Sequence, residues 1–164
     1  MLIRLKKVRD GVVLSCVRAG GESVVQRTGH DGFFALHDLM HYAVETTLGC
    51  TRAFFGLLSE GWEFTSFTGR SDPRYKIVPD DAIVVEYIVA ALSRHVPTRP
   101  RSDEELQTLW ADEVNAELAS VLIRDGLPAR VLSVEELRSI AERYEGLAER
   151  WARVGVGEHL ELEF

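Results

Sequence analysis

The sequence predicts one α+β domain, in which an antiparallel β-sheet is packed with four or five helices. Valine and leucine crowd three short segments of the first third, apolar residues recur at helical spacing through the middle, and the last residues alternate between polar and apolar. The chain has 164 residues, close to the usual size of a single domain, and no segment is typical of an interdomain linker. Residues 1–164 are therefore expected to fold as one domain.

The predicted sheet begins with an antiparallel meander. Segments 2–8, 12–18 and 23–28 contain the β-branched and apolar residues that a half-buried sheet prefers, and glycine-containing turns separate them. The final segment, 158–164, alternates strictly between polar and apolar residues, which indicates a strand with one solvent-facing side. We expect this last strand to join the meander as a fourth antiparallel strand.

The first predicted helix spans residues 34–48 and ends at Gly49, which is suited to the left-handed conformation that terminates helices. Thr51 is the expected N-cap of a short second helix that Gly61 ends. The aromatic stretch 62–67 fits either a further helical turn or an extended segment.

Three more helices have recognisable starts. The most apolar of them opens at Pro79, runs to about residue 95 and is expected to be central. Capping boxes are predicted at Ser102-x-x-Glu105 and at Ser133-x-x-Glu136, and each should begin a long helix.

Charge argues against nucleic-acid binding. The formal net charge is −7, so the chain repels phosphate backbones unless it segregates a basic face. Two small basic clusters exist, Lys6-Lys7 and the pair Arg99 and Arg101, but aromatic residues do not interleave them. No nucleic-acid partner is expected.

Cellular location is predicted by elimination. Cys16 and Cys50 form no Cys-x-x-Cys pair, and a chain of this size needs no disulfide. Charge appears at Arg4, before any apolar core of a secretion signal can form. The most apolar run, 82–92, is interrupted by Glu86 and is too short to span a bilayer. We expect a cytoplasmic protein with no membrane partner.

One constellation is suited to chemistry: His37, His41 and Glu45 lie at i, i+4 and i+8 of the first predicted helix. Each step of four residues turns about 40° and rises about 6 Å, so the three side chains share one face. The buried stripe is expected to consist of Leu36, Met40 and Ala43. On that assignment His37 lies at the edge of the stripe, His41 beyond it and Glu45 farthest out.

Two imidazoles spaced in this way can ligate one divalent ion such as zinc. A third ligand must come from elsewhere or from Glu45, unless Glu45 instead orients His41. Asp31, just before the helix, is a candidate extra ligand, although a turn or cap role suits it equally well. Partly buried histidines with a purely structural role are the alternative interpretation.

The string His37-Asp38-Leu39-Met40-His41 resembles the His-Glu-x-x-His signature of zinc metallopeptidases, with Asp38 where that family has its catalytic Glu. In the gluzincin branch, a Glu on the next helix completes the zinc site, and Glu60 stands at a similar spacing, 19 positions after His41. The resemblance therefore implies Asp38 as a catalytic base and Glu60 as a further ligand. It covers five residues and one spacing.

A wider pattern, comprising residues 37–45, 54–57 and 61–62, resembles uncharacterised bacterial proteins of unknown function and implies no activity. Two hypotheses follow from the sequence. The first is a small protein with a divalent-metal or small-ligand site, hydrolase-like in character, built on His37, His41 and Glu45. The second is a non-catalytic structural or interaction module, homo-oligomeric, whose aromatic residues between 33 and 67 form either a core or an interface.

Overall fold

The computed structural model describes residues 1–29, 33–67 and 74–164. It contains one four-stranded antiparallel sheet of order β3-β2-β1-β4, with strands β1 (Leu2–Val8), β2 (Gly11–Val17), β3 (Ser23–Gly29) and β4 (His159–Glu163). The predicted meander and the predicted pairing of the last strand are both confirmed. Asp31, the candidate extra ligand, lies outside the described residues.

Alternation along the strands gives the sheet one buried face. Leu5 on β1 lies opposite Leu14 on β2 and Leu160 on β4, and all three side chains are buried. The intervening residues Arg4 and Lys6 are exposed. A shift of one residue in register would exchange the two faces, so the apolar pattern fixes the pairing.

Five α-helices accompany the sheet: α1 (Phe33–Leu48), α2 (Phe54–Ser59), α3 (Asp80–His95), α4 (Glu104–Arg124) and α5 (Val134–Ala152). Short 3₁₀ turns occupy Phe64–Ser66 and Val96–Thr98. Helix α1 packs against α3 and α5, and the hydroxyl of Tyr42 donates to the carbonyl of Glu163 on β4 over 2.7 Å. Among the described residues, no helix is both long and apolar enough to cross a bilayer.

The helix starts confirm one predicted cap and correct one. At α5, Ser133 and Glu136 form the predicted capping box, with bonds of 3.1 and 2.8 Å. At α4 the prediction of Ser102 is wrong by one residue, because Asp103 is the N-cap and accepts from the amide of Leu106 over 3.1 Å. Either residue type satisfies a helix N-terminus, so neighbouring candidates compete.

The aromatic residues between 33 and 67 divide between core and surface. Phe55 and Phe64 are buried, whereas Phe54 and Phe67 are partly covered and pack against each other with centroids 5.3 Å apart. Two rings at the start of α1 are exposed, Phe33 and Phe34. The core interpretation therefore applies to Phe55 and Phe64, and the interface interpretation stays a prediction for the exposed rings.

The core predicts a large difference between two identical substitutions. Leu5→Ala removes a fully buried side chain and should lower the free energy of unfolding by about 2–5 kcal/mol. Leu106→Ala, on a half-exposed position of α4, should change it by less than about 0.5 kcal/mol. Urea unfolding followed by circular dichroism measures both, and equal effects would contradict the assignment of Leu5 to the core.

Candidate metal centre

Helices α1 and α3 bring three ionisable side chains together. His37 and His41 come from α1 and Glu86 comes from α3, and one donor atom from each lies within 4.8 Å of the others. The Nε2 atom of His41 is 3.0 Å from Oε2 of Glu86, and Nε2 of His37 is 3.7 Å from Oε1 of the same carboxylate. The two imidazoles, whose centroids are 4.7 Å apart, therefore face one shared carboxylate.

The spacing of the histidines explains half of this geometry. Residues four apart on a helix are neighbours on its surface, so His37 and His41 converge by local structure alone. Glu86 joins them only because α3 packs against α1. Its neighbours Val85 and Val89 are buried and anchor the helix, while the Glu86 side chain remains 53% exposed.

Glu45 occupies a different place from the one predicted. We expected it to be the most exposed of the three residues on its face, and that expectation is wrong, because Glu45 is only 1% exposed. Its carboxylate accepts from the backbone amide of Phe55 over 3.0 and 3.2 Å and from that of Gly56 over 3.1 Å. Helix α2 folds back over α1 and buries the carboxylate against its own first turn.

This contact also replaces the predicted cap of α2. We expected Thr51 to be the N-cap, but the N-cap is Ala53, and it supplies no side-chain bond. Glu45 satisfies amides of the first turn instead, and its negative charge lies at the positive end of the helix dipole. Gly56 is required where the connection before α2 passes its first turn, since a Cβ atom there would lie 2.1 Å from the carbonyl oxygen of Thr51.

His41 lies between two carboxylates. Its Nε2 atom faces Glu86, and its Nδ1 atom lies 3.4 Å from Oε1 of Glu45, a charge contact that falls short of a hydrogen bond. Burial alone would lower the pKa of the imidazole, but the carboxylates of Glu45 and Glu86 outweigh it and raise the pKa to about 9. His41 is therefore a cation between two neighbouring anions.

His37 and Glu86 are in the protonation states that ligands need. Burial, assisted by the charge of His41, lowers the pKa of His37, so the ring is neutral at neutral pH. The contact with His41 lowers the pKa of Glu86 and keeps it ionised. Neutral imidazole and ionised carboxylate are the forms that bind metal ions.

Asp38 and Glu60 are not among the converging donors of the described residues. Asp38 is half-buried, and burial raises its pKa to about 7 against the opposing charge of His41. Burial, and next the charge of Asp38, raises the pKa of the Cys16 thiol on β2. Glu60 is exposed at the C-terminal end of α2.

Glu86 is the member of the group that the sequence argument missed. The available signal was a single carboxylate within the otherwise apolar run 82–92. A charge in that position on a buried helix is unusual unless it is paired or binds a metal ion. Its partner residues lie more than 40 positions earlier, so the spacing of residues in the sequence does not reveal the pairing.

Comparison of the chain with protein-family models, with curated proteins and with solved structures gives no match. The donor set itself defines the chemistry, since two imidazole nitrogens and one carboxylate oxygen suit zinc and similar divalent transition-metal ions. Three protein ligands leave a coordination position for water, as in catalytic rather than structural zinc sites.

The buried carboxylate of Glu45 predicts a graded mutational response. Glu45→Ala leaves two buried amides without acceptors and should lower the free energy of unfolding by about 3 kcal/mol. Glu45→Gln retains one acceptor oxygen and should cost less. Glu149→Ala, at an exposed position of α5, is the matched control and should have almost no effect. Denaturant titration measures the free energy of unfolding of each variant. A decrease for Glu45→Ala as small as that for the control would contradict the conclusion that Glu45 holds α2 against α1.

Proposed function

We propose that this protein binds one divalent transition-metal ion, with zinc as the principal candidate, through His37, His41 and Glu86. The observation that supports the proposal most strongly is that one donor atom of each residue lies within 4.8 Å of the others. Ligands about 2.1 Å from a tetrahedral zinc ion are about 3.4 Å apart. Nε2 of His41 is 3.0 Å from Oε2 of Glu86 and Nε2 of His37 is 3.7 Å from Oε1, so each imidazole lies near that distance from a different oxygen of the carboxylate. Rotation of the partly exposed His37 would close the remaining gap.

The surroundings of His41 support the same function. A metal ion on Nε2 would leave the Nδ1 hydrogen beside Glu45, whose Oε1 atom is 3.4 Å from Nδ1. Closing that contact to a hydrogen bond would give the carboxylate–histidine–metal arrangement that fixes the orientation of zinc-bound imidazoles. The ion would displace the proton of His41, and its two charges would balance Glu45 and Glu86. Glu45 then acts as a positioning residue rather than as a ligand.

A hydrolase-like activity is the finer form of this proposal. A metal ion with three protein ligands can bind water and lower its pKa towards neutrality, which supplies a nucleophile. The metallopeptidase-like string makes Asp38 the candidate base, and its pKa of about 7 suits proton transfer near neutral pH. Its carboxyl is not among the converging donors, so in this form of the proposal it would have to reach the bound water from beside the ligand group. Glu60 has no place in this form of the proposal, since it lies exposed at the end of α2.

Metal analysis tests the proposal directly. Protein purified without a histidine tag should bind one equivalent of zinc, and the double variant His37→Ala, His41→Ala should bind none. Glu86→Gln should weaken binding by more than about 100-fold, and Glu45→Gln by about 10- to 100-fold, since outer-shell partners have effects of that size. Competition with a chromophoric chelator measures the affinities.

Glu60→Gln and His159→Ala are the matched controls, because both residues are exposed and lie outside the converging group. Each should retain the affinity of the parent protein. Zinc at 100 times its dissociation constant should also stabilise the fold by about 2.7 kcal/mol. Substoichiometric metal, or equal affinities of the Glu86→Gln and Glu60→Gln variants, would reject the proposed ligand set.

A homo-oligomeric interaction module is the second candidate, and one observation favours it. Phe33 and Phe34 are 63% and 43% exposed at the start of α1, and their rings contact each other with centroids 5.6 Å apart. Adjacent exposed aromatic side chains of this kind are typical of contact surfaces.

The oligomer hypothesis predicts that Phe33→Ser, Phe34→Ser will shift the protein to a smaller species in sedimentation velocity. The change removes apolar area from a contact surface without touching the core. Val156→Ser, also exposed but at the opposite end of the sequence, is the control and should leave the sedimentation coefficient unchanged. A parent protein that is monomeric at about 100 μM would exclude this candidate. Its dissociation constant would then lie above about 100 μM, which is too weak for a stable oligomer.

A further inference from the structure

A second concave surface lies away from the metal-ligand group. It is a cleft of about 310 Å³ between the end of α1, the connection 49–53, the first half of α3 and the segment 128–130. Its apolar wall includes Leu48, Val85 and Ile88. None of the three converging ligands lines it, so the cleft is independent of the metal proposal.

Two opposite charges stand on this cleft without partners. Arg52 and Asp81 both line it and are exposed, and neither has a hydrogen bond or an ion pair within the described parts of the chain. A third charged residue, Arg130, is already paired with Glu136 over 3.2 Å. The cleft therefore offers a ligand one free guanidinium group and one free carboxylate.

The side chains of Arg52, Asp81 and Arg130 line the same cleft as Cys50 and its apolar wall. Burial raises the pKa of the half-buried Cys50 thiol, the charges of Glu45 and Asp81 raise it further, and the charge of Arg130 lowers it. A few convergent polar groups on an apolar cavity are the usual composition of a small-ligand site.

We infer that the cleft binds a small zwitterion with an apolar body, an aliphatic α-amino acid. Its carboxylate pairs with Arg52, its ammonium group pairs with Asp81, and its side chain covers the wall formed by Leu48, Val85 and Ile88. The volume, about 310 Å³, lies near the lower limit of the range for ligand pockets, roughly 300–1,000 Å³, and suits a ligand of amino-acid size.

Charge disfavours the simpler ligands. A fatty acid or a phosphate would pair with Arg52 but would bring a second anion next to Asp81. An aliphatic amine would pair with Asp81, but its ammonium group would leave Arg52 without an anion and close to a second positive charge. A ligand with both charges satisfies both residues, and its apolar body gains from removal from water.

Four probes separate these contributions in calorimetric titrations of the full-length protein. L-Leucine carries both charges and an apolar body, 4-methylpentanoate lacks the ammonium group, 3-methylbutylamine lacks the carboxylate, and glycine lacks the apolar body. Leucine should bind with a dissociation constant of about 1 mM or lower. Loss of either charge should weaken binding about fivefold, the upper range for partly exposed ion pairs, and loss of the apolar body by more than about tenfold.

Variants assign each charge to its partner. Arg52→Gln should abolish the preference for leucine over the amine, and Asp81→Asn should abolish the preference for leucine over the carboxylate. Arg153→Gln, an exposed arginine at the end of α5, is the control and should preserve both preferences. Circular dichroism confirms that each variant is folded.

Two outcomes would overturn the inference. Absence of saturable leucine binding at about 10 mM would show that the cleft is not such a site. Binding of 4-methylpentanoate or 3-methylbutylamine as tightly as leucine would show that one charge suffices and that the ligand is not a zwitterion. Because none of these measurements requires a metal ion, failure here leaves the proposed metal site untouched.

Discussion

The buried carboxylate of Glu45 is the constraint on which the candidate site depends. Removing an ionised carboxylate from water costs several kcal/mol, and the chain offsets that cost with the amides of Phe55 and Gly56 and with the positive charge of His41. The same contacts hold α2 against α1. His41 is buried as a consequence, and its two nitrogens are directed at two different carboxylates.

That arrangement makes His41 the centre of a charge-balanced group rather than an isolated core histidine. The carboxylates of Glu45 and Glu86 and the imidazolium of His41 together carry one net negative charge. Part of this charge lies at the surface, because the Glu86 side chain is partly exposed. A divalent cation that replaced the proton of His41 would neutralise this net charge. The charge of the group is therefore compatible with an ion at the position where the three donor atoms converge.

The sequence predicts those features that depend on local periodicity. Alternation placed Leu5 and Leu160 on the buried face of the sheet, and the i, i+4 spacing placed both histidines on one face of α1. It does not predict what depends on how elements pack. Glu86 reaches the histidines only through the contact of α3 with α1, and Glu45 is buried only because α2 folds back, so neither role has a local signature.

The caps illustrate the same limit on a smaller scale. Ser133 and Glu136 were predictable because both halves of the capping box lie within one turn of sequence. Thr51 looked equally suitable, yet α2 receives its capping oxygen from Glu45 on another helix. Local preference identifies residues able to cap a helix, and tertiary contact decides which acceptor the amides meet.

Glu45 also connects the metal-ligand group to the second cleft. Its backbone carbonyl accepts from the amide of Cys50 over 2.9 Å, and its side chain accepts from the amide of Phe55. One residue therefore holds both ends of the segment 50–55, of which residues 50–53 line the cleft, while the same carboxylate faces His41. A ligand that shifted this segment would also move the carboxylate beside the imidazole, and only in that case would thermodynamic reciprocity couple the cleft to an ion bound at His41.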